Sequence, residues 1–235
     1  MSTDEERKDA RRRIFDAGVS LFARRGYAAV GIREIARAAN VNLSMVSYYY
    51  GGKAGLLSAI IDEAYARYRT MLAGTGDDST PAEAHVRNMA RGIVQFFREN
   101  AELGLVGFDS FPPVDNPDTI AVRLKWSESI GTMLAGFYKK LGLDLSDPVQ
   151  MGVVLKALPI SVKTFFEGIY AVEQSGAKDR LPGMPEFDDA FFEHYSEHLA
   201  ELFLYGVTGM TRMKRKKMTA DRARKSKPKA RGRSV

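Results

Sequence analysis

Apolar residues recur along this chain at spacings of three and four, and no convincing run of period-two alternation interrupts them. Ile14, Phe15, Gly18, Val19, Leu21 and Phe22 share one stripe, and Leu56, Leu57, Ile60, Ile61, Ala64, Tyr65, Tyr68, Met71 and Leu72 form another. That period belongs to helices with one buried face. The chain is therefore expected to be all-α. Thr3 and Glu6 have capping-box spacing, and Asp4 and Glu5 suit the positive end of a helix. A first helix from there ends near Arg25, before Gly26.

Three shorter readings follow. The pattern predicts helices over about 32–39, 43–50 and 54–72, with Gly51-Gly52 stopping the third of the four. Residues 74–81, GTGDDSTP, read as a linker. Further helical segments are expected near 82–99, 117–141, 148–174 and 187–207. The Gly- and Pro-rich stretch between Gly104 and Pro117 reads as irregular. Pro159 inside a helical run predicts a kink or a break. From Thr211 onward the apolar pattern stops, and the segment is expected to be disordered.

Charge is distributed unevenly over the 235 residues, whose net charge is +6. Residues 1–53 hold 10 basic and 6 acidic side chains, residues 54–211 hold 13 and 22, and residues 212–235 hold 12 and one. The middle is therefore acidic, and a uniformly basic surface is excluded. The absence of cysteine excludes disulfides, Cys-ligated metal and thiol catalysis. The first ten residues are too charged for a secretory signal, and no uncharged apolar run reaches membrane-spanning length. A soluble, cytoplasmic protein is the expectation.

Residues 26–57 carry the functional signal. A short helix with Ile32, Ile35, Ala36 and Ala39 inward meets a tight turn at Asn40-Val41. Asn tolerates the left-handed backbone such a turn requires, and Asn42 is suited to cap the next helix. Two helices so joined can place the second in a DNA major groove. Helical hairpins are also common in structural bundles, so spacing alone leaves both readings open.

The segment resembles the amino-terminal domain of TetR-like transcriptional repressors. The resemblance rests on Gly26-Tyr27, then Ile32, Ile35 and Ala36, then Ala39-Asn40-Val41-Asn42. It continues through Tyr48-Tyr49-Tyr50, Gly52-Lys53 and Leu56-Leu57, covering roughly residues 8–60. It implies a DNA-contacting set of Gly31, Arg33, Asn42, Leu43, Ser44, Met45, Ser47, Tyr48, Tyr49 and Lys53. Gly31 and Ser47 depart from the family, which more often has Thr and Tyr there. Asn40 and Asn42 replace the usual Gly and Ser. Within this set, helix amino ends offer N–H groups to phosphate at Asn42–Ser44 and near Lys53. Arg33 can pair with phosphate or a guanine edge, and Leu43, Ser44 and Met45 should face bases. Core packing competes as a reading for Met45 and dominates for Tyr50.

The resemblance further implies the domain plan. Residues 1–53 form the helix-turn-helix domain, 54–80 a connecting helix and linker, 81–208 a helical effector-binding and dimerisation domain, and 209–235 a basic tail. The last two long helices would pair with those of a second copy, and the homodimer would read palindromic double-stranded DNA. A small-molecule effector would sit among Phe96, Phe108, Trp126, Met133, Phe137, Phe165, Phe166 and Tyr170, with Phe97 and Phe111 as further candidates. Simple core filling is the competing reading for each.

His194, Glu197 and His198 match H-x-x-E-H, but only Glu201 and Asp221 follow as acidic third ligands, within or beyond an amphipathic helix. No catalytic residue, metal site or cofactor is assigned. The alternatives to a ligand-released repressor are a helical enzyme or metal-binding protein carrying a helix-turn-helix, and a nucleoid-type binder using its basic tail. That tail could also serve as a solubility segment, a DNA clamp or a contact to anionic membrane.

Overall fold

The computed structural model describes residues 3–108, 117–143, 146–176 and 185–225. All its regular elements there are helices: α1 (Thr3–Arg25), α2 (Ile32–Ala38), α3 (Leu43–Tyr50), α4 (Lys53–Ala73) and α5 (Ala82–Glu99). They continue with α6 (Ala101–Gly107), α7 (Pro117–Lys140), α8 (Pro148–Ser175) and α9 (Asp189–Lys225).

Two apolar cores form. The first gathers Ile14, Val19 and Phe22 of α1, Ile35 and Ala36 of α2, and Val46 of α3 around the amino-terminal half of α4. The second gathers α5, α7, α8 and α9 around Tyr68 and Leu72, from the carboxy-terminal half of α4. One helix thus belongs to both cores. Leu56, Ile60, Ile61 and Ala64 are fully buried in the first core, so α4 completes that domain as well as leaving it.

Two sequence expectations are corrected, and of the kink or break expected at Pro159 the break is absent. The stretch after Gly104 does not begin irregularly; α6 carries the chain to Gly107, and Leu103 and Val106 enter the first core. Its glycines are sites of close approach. A Cβ on Gly107 would lie 2.3 Å from that of Ala64, and one on Gly104 would lie 2.8 Å from the Phe97 ring. Residues 109–116 lie outside the described residues.

Pro159 does not break its helix, since α8 runs through it from Pro148 to Ser175. The segment read as disordered from Thr211 is helical as far as Lys225, in one continuous α9. Its Met, Arg, Lys and Ala residues favour helix, and neither Gly nor Pro interrupts them between residues 211 and 225. Residues 226–235 lie outside the described residues.

The linker between α4 and α5 is ordered by its own polar groups. Asp77 Oδ1 accepts from the backbone N–H groups of Ser79 and Thr80 and from both hydroxyls. These bonds, led by the Ser79 hydroxyl, hold the Asp77 carboxyl down at about 2. Ion pairs clamp α9 onto α5: Arg98 with Asp189, Arg91 with Glu193, and Arg87 with Glu197.

Candidate nucleic-acid interface and body cavity

The turn between α2 and α3 is built from backbone bonds. Asn40 takes the left-handed conformation at φ 50°. Its N–H donates to Arg37 O at 3.1 Å, and the Val41 N–H donates to Ala36 O at 3.0 Å. That pair of bonds is a Schellman ending, with Asn in the position Gly usually takes. Asn42 occupies the N-cap of α3 with extended backbone, but its side chain makes no capping bond. The capping role expected of that side chain is therefore not performed. At the far end, Gly51 at φ 69° closes α3, its N–H donating to Ser47 O.

Val46 alone among the α3 residues is fully buried, and it orients the helix. The opposite side presents Asn42, Leu43, Ser44, Ser47 and Tyr48 to solvent. Leu43 is 39% exposed and Tyr48 75% exposed. Met45 and Tyr49 are half-buried against the first core, although the Tyr49 ring meets Tyr48 edge-on with centroids 5.0 Å apart. Tyr50 is half-buried too, and its hydroxyl donates to Arg11 O at 2.9 Å, tying α3 to α1.

Gly31 forms the N-cap of α2 without any side-chain bond, and Arg33 stands exposed two residues along. Lys53 opens α4 with its Nζ 4.1 Å from the Tyr27 ring centroid, and partial burial lowers its pKa. The ammonium there would be better solvated by a phosphate than by the ring alone. Gly55, not singled out in the sequence, is required at this junction: a Cβ would lie 1.8 Å from Tyr50 O. The crowding comes from α3 ending directly against the first turn of α4.

In the body, a cavity of about 680 Å³ lies between α4, α5, α7 and α8. Tyr65 and Tyr68 reach it from α4, Ile93 from α5, Arg123 and Leu134 from α7, and Lys163 from α8. Of the eight residues expected to line an effector pocket, Phe108 lines this cavity. Phe96, Phe137 and Phe166 are buried core residues, and Met133 and Phe165 pack partly buried against them. Phe97 is likewise core, while Phe111 lies outside the described residues. Trp126 is half-buried and donates from Nε1 to Asp62 Oδ1 at 2.7 Å, joining α7 to α4. Burial works against the Asp62 charge, yet the bonds from Trp126 and Lys125 leave its pKa lowered. Tyr170 lines a smaller cavity of about 340 Å³ between α1 and α8, which shares Arg123 with the first.

The H-x-x-E-H pattern is occupied structurally. Glu197 pairs with Arg87 and Arg91 of α5, and His198 Nδ1 lies 2.9 Å from the backbone oxygen of His194. Among the described residues no three His or carboxylate groups converge as a metal site. No helix among them is long and apolar enough to cross a membrane.

A short helix, a tight turn and a second helix with an exposed face, backed by a second helical domain, form a helix-turn-helix arrangement of the kind that can enter a DNA major groove. Residues 14–60 match the model of the family described as "Bacterial regulatory proteins, tetR family". The probable HTH-type transcriptional regulator YttP of Bacillus subtilis is 38% identical over 60 residues, 26% of this chain and 29% of YttP. The chain thus aligns with less than a third of that relative's length. The uncharacterized HTH-type regulator YvkB of the same organism is 22% identical over 84% of this chain and 96% of its own. Two solved structures share the fold. The fatty acid degradation regulator FadR of Bacillus halodurans has a TM-score of 0.60 at 16% identity, covering 83% of this chain and 94% of FadR. A TetR-like regulator from Rhodococcus sp. RHA1 has a TM-score of 0.58 at 18% identity, covering 84% and 96%. Residues 14–60 thus carry the sequence signature of the TetR-family amino-terminal domain, and the chain as a whole is similar in fold to these regulators.

Proposed function

We propose that the protein is a homodimeric repressor that reads a palindromic operator through α3 and is released from it by a small molecule bound in the body cavity. The observation carrying this reading is the double membership of α4. Its first half is core to the DNA-binding domain, and its second half supplies Tyr65 and Tyr68 to the cavity wall. A ligand that changes the cavity therefore acts on the helix that fixes α3. Small changes in the separation of two recognition helices penalise a fixed half-site spacing.

In this reading Leu43, Ser44 and Tyr48 approach the groove. Arg33, Tyr49, Lys53, Ser47 and the N-termini at Gly31 and Asn42 serve phosphate and neighbouring bases, and Met45 divides its surface between core and groove. Dimerisation uses α8 and α9. Both leave apolar side chains in solvent: Val153 and Ile160 on α8, and Leu202 and Tyr205, 70% and 79% exposed, on α9. Gly206 and Gly209 add open surface where a Cβ would meet nothing, so a second backbone can approach. Such a patch is costly in a monomer.

Selection from random-sequence DNA tests the proposal. The expected product is a two-fold symmetric site bound by a dimer, with half-sites about one helical turn or a multiple apart. Enrichment of a single asymmetric half-site, or of no sequence at all, would overturn it.

A further inference from the structure

We infer that the effector is an amphipathic organic anion, an apolar body carrying a carboxylate, whose head pairs with Arg123. This rests on the proposal that the body cavity is the effector site, and it adds the chemical class of the ligand.

The wall explains the apolar body. Met89, Ile93, Leu134, Val154 and Leu158 present hydrocarbon to a cavity of about 680 Å³, a size that suits small-molecule sites. Three basic residues join that wall, Arg123, Lys156 and Lys163, and none of the described lining residues is acidic. The three differ in how they are neutralised. Lys163 is buried but bonded to Glu167 one turn on, and Lys156 is exposed. Arg123 is half-buried, and its Nε is completely buried with no hydrogen-bond partner. Its guanidinium interacts with the Tyr65 hydroxyl, favouring the ionised form against the larger effect of burial, and it also borders the smaller cavity that Glu167 lines, where Glu167 is already bonded to Lys163.

A buried guanidinium donor left unmade is expensive, and a cation in an apolar cavity calls for an anion. Guanidinium has a planar array of N–H donors that matches a carboxylate in two parallel bonds. The neutral tyrosines beside it agree. Burial raises the pKa of Tyr68 and Tyr138, so their hydroxyls stay protonated and available as donors to an oxygen-rich head. An alkylammonium would meet Arg123 as a like charge. A neutral alcohol would leave the cation uncompensated.

The test compares dodecanoate, dodecanol and dodecylammonium, each below its aggregation concentration, by calorimetric titration of the full-length protein. The expected result is dodecanoate binding at least 10-fold tighter than either partner. Arg123→Gln should cut that preference to less than about 3-fold, chiefly by weakening dodecanoate, and Arg123→Lys should restore part of it. Equal binding of acid and alcohol by the unmodified protein would overturn the anion assignment alone. So would a preference that survives in Arg123→Gln. If none of the three binds, and the cavity-filling Ile130→Trp variant also leaves ligand-free stability unchanged, the effector-site reading falls with it.

Discussion

Tyr170 of α8 donates its hydroxyl to Glu102 Oε1 of α6 at 2.7 Å, and this contact joins the body to the helix that enters the first core through Leu103 and Val106. The same carboxylate oxygen accepts from Ser20 of α1 at 3.2 Å and lies 3.5 Å from Arg24 Nε. Three helices thus meet at one acceptor. Burial, followed by the bond to Glu102, raises the Tyr170 pKa and keeps the phenol a donor. Because α8 also walls the body cavity, this contact runs parallel to α4 as a second link.

Tyr170→Phe should therefore cost roughly 1 kcal/mol of stability, the usual scale for one hydrogen bond. It should also weaken the effect of a cavity ligand on DNA affinity. Operator titrations with and without ligand measure the coupling directly. A coupling unchanged from the unmodified protein would remove Tyr170 from the route.

The α3–α4 junction makes a steric prediction. At Gly55 an added methyl meets a backbone oxygen at 1.8 Å, which no side-chain rotation can relieve. Gly55→Ala should destabilise by about 1–3 kcal/mol or more, as overpacking does. Gly131, within α7, faces open space. Gly131→Ala should instead stabilise by about 0.5–1 kcal/mol through lost unfolded-state freedom. Urea midpoints of the two variants should move in opposite directions.

His85 sets a pH dependence. The Thr75 hydroxyl donates to Leu72 O at 2.8 Å, so His85 Nε2–H donates to Thr75 Oγ1 at 3.1 Å. Nδ1 is then the unprotonated nitrogen, and it is buried without a partner. Burial first, then Lys140, lowers the His85 pKa, with Asp77 opposing them. The unfolded chain therefore binds the proton more readily than the folded one. Stability is full above the unfolded value near 6.5 and falls as pH drops below it, levelling once the folded pKa is passed. Urea unfolding at pH 7.5, 6.5 and 5.5 should show this decline, and His85→Leu should remove the histidine part of it. Identical pH profiles for the two proteins would contradict the assignment.

The basic carboxy-terminal segment predicts a salt effect. Residues 212–235 carry 12 basic side chains and one acidic, and phosphate contacts release counterions in proportion to their number. Deleting the segment should weaken binding to all DNA sequences about equally and make log K less steep against log salt. A slope unchanged by the deletion would leave the segment no part in DNA binding.

The helix-turn-helix was legible in the sequence because each of its devices has a local signature. Ile35, Ala36 and Val46 mark the buried faces, and Asn40 marks the left-handed turn, which the fold realises at φ 50°. The rest depends on contacts between distant segments. Gly104 and Gly107 resemble helix breakers, and only Phe97 and Ala64 opposite them explain why they are small. The cavity was harder still. Aromatic residues mark core as readily as pocket, and most of the expected phenylalanines pack against one another. A single arginine on α7 reads as a solvated residue until Tyr65 and Tyr68 of another helix are placed beside it. The charged end of α9 resembles a disordered tail by composition, although its residues are good helix formers.

In the proposed function α3 reads DNA, and Tyr48, exposed beside Leu43 and Ser44, is part of the reading surface. The direct test is the affinity of Tyr48→Ala/Tyr49→Ala for the selected operator, with light scattering of the same sample to report assembly. A loss of at least 100-fold in specific affinity, with the dimer intact, is expected. Specific binding retained at the unmodified protein's affinity would contradict it.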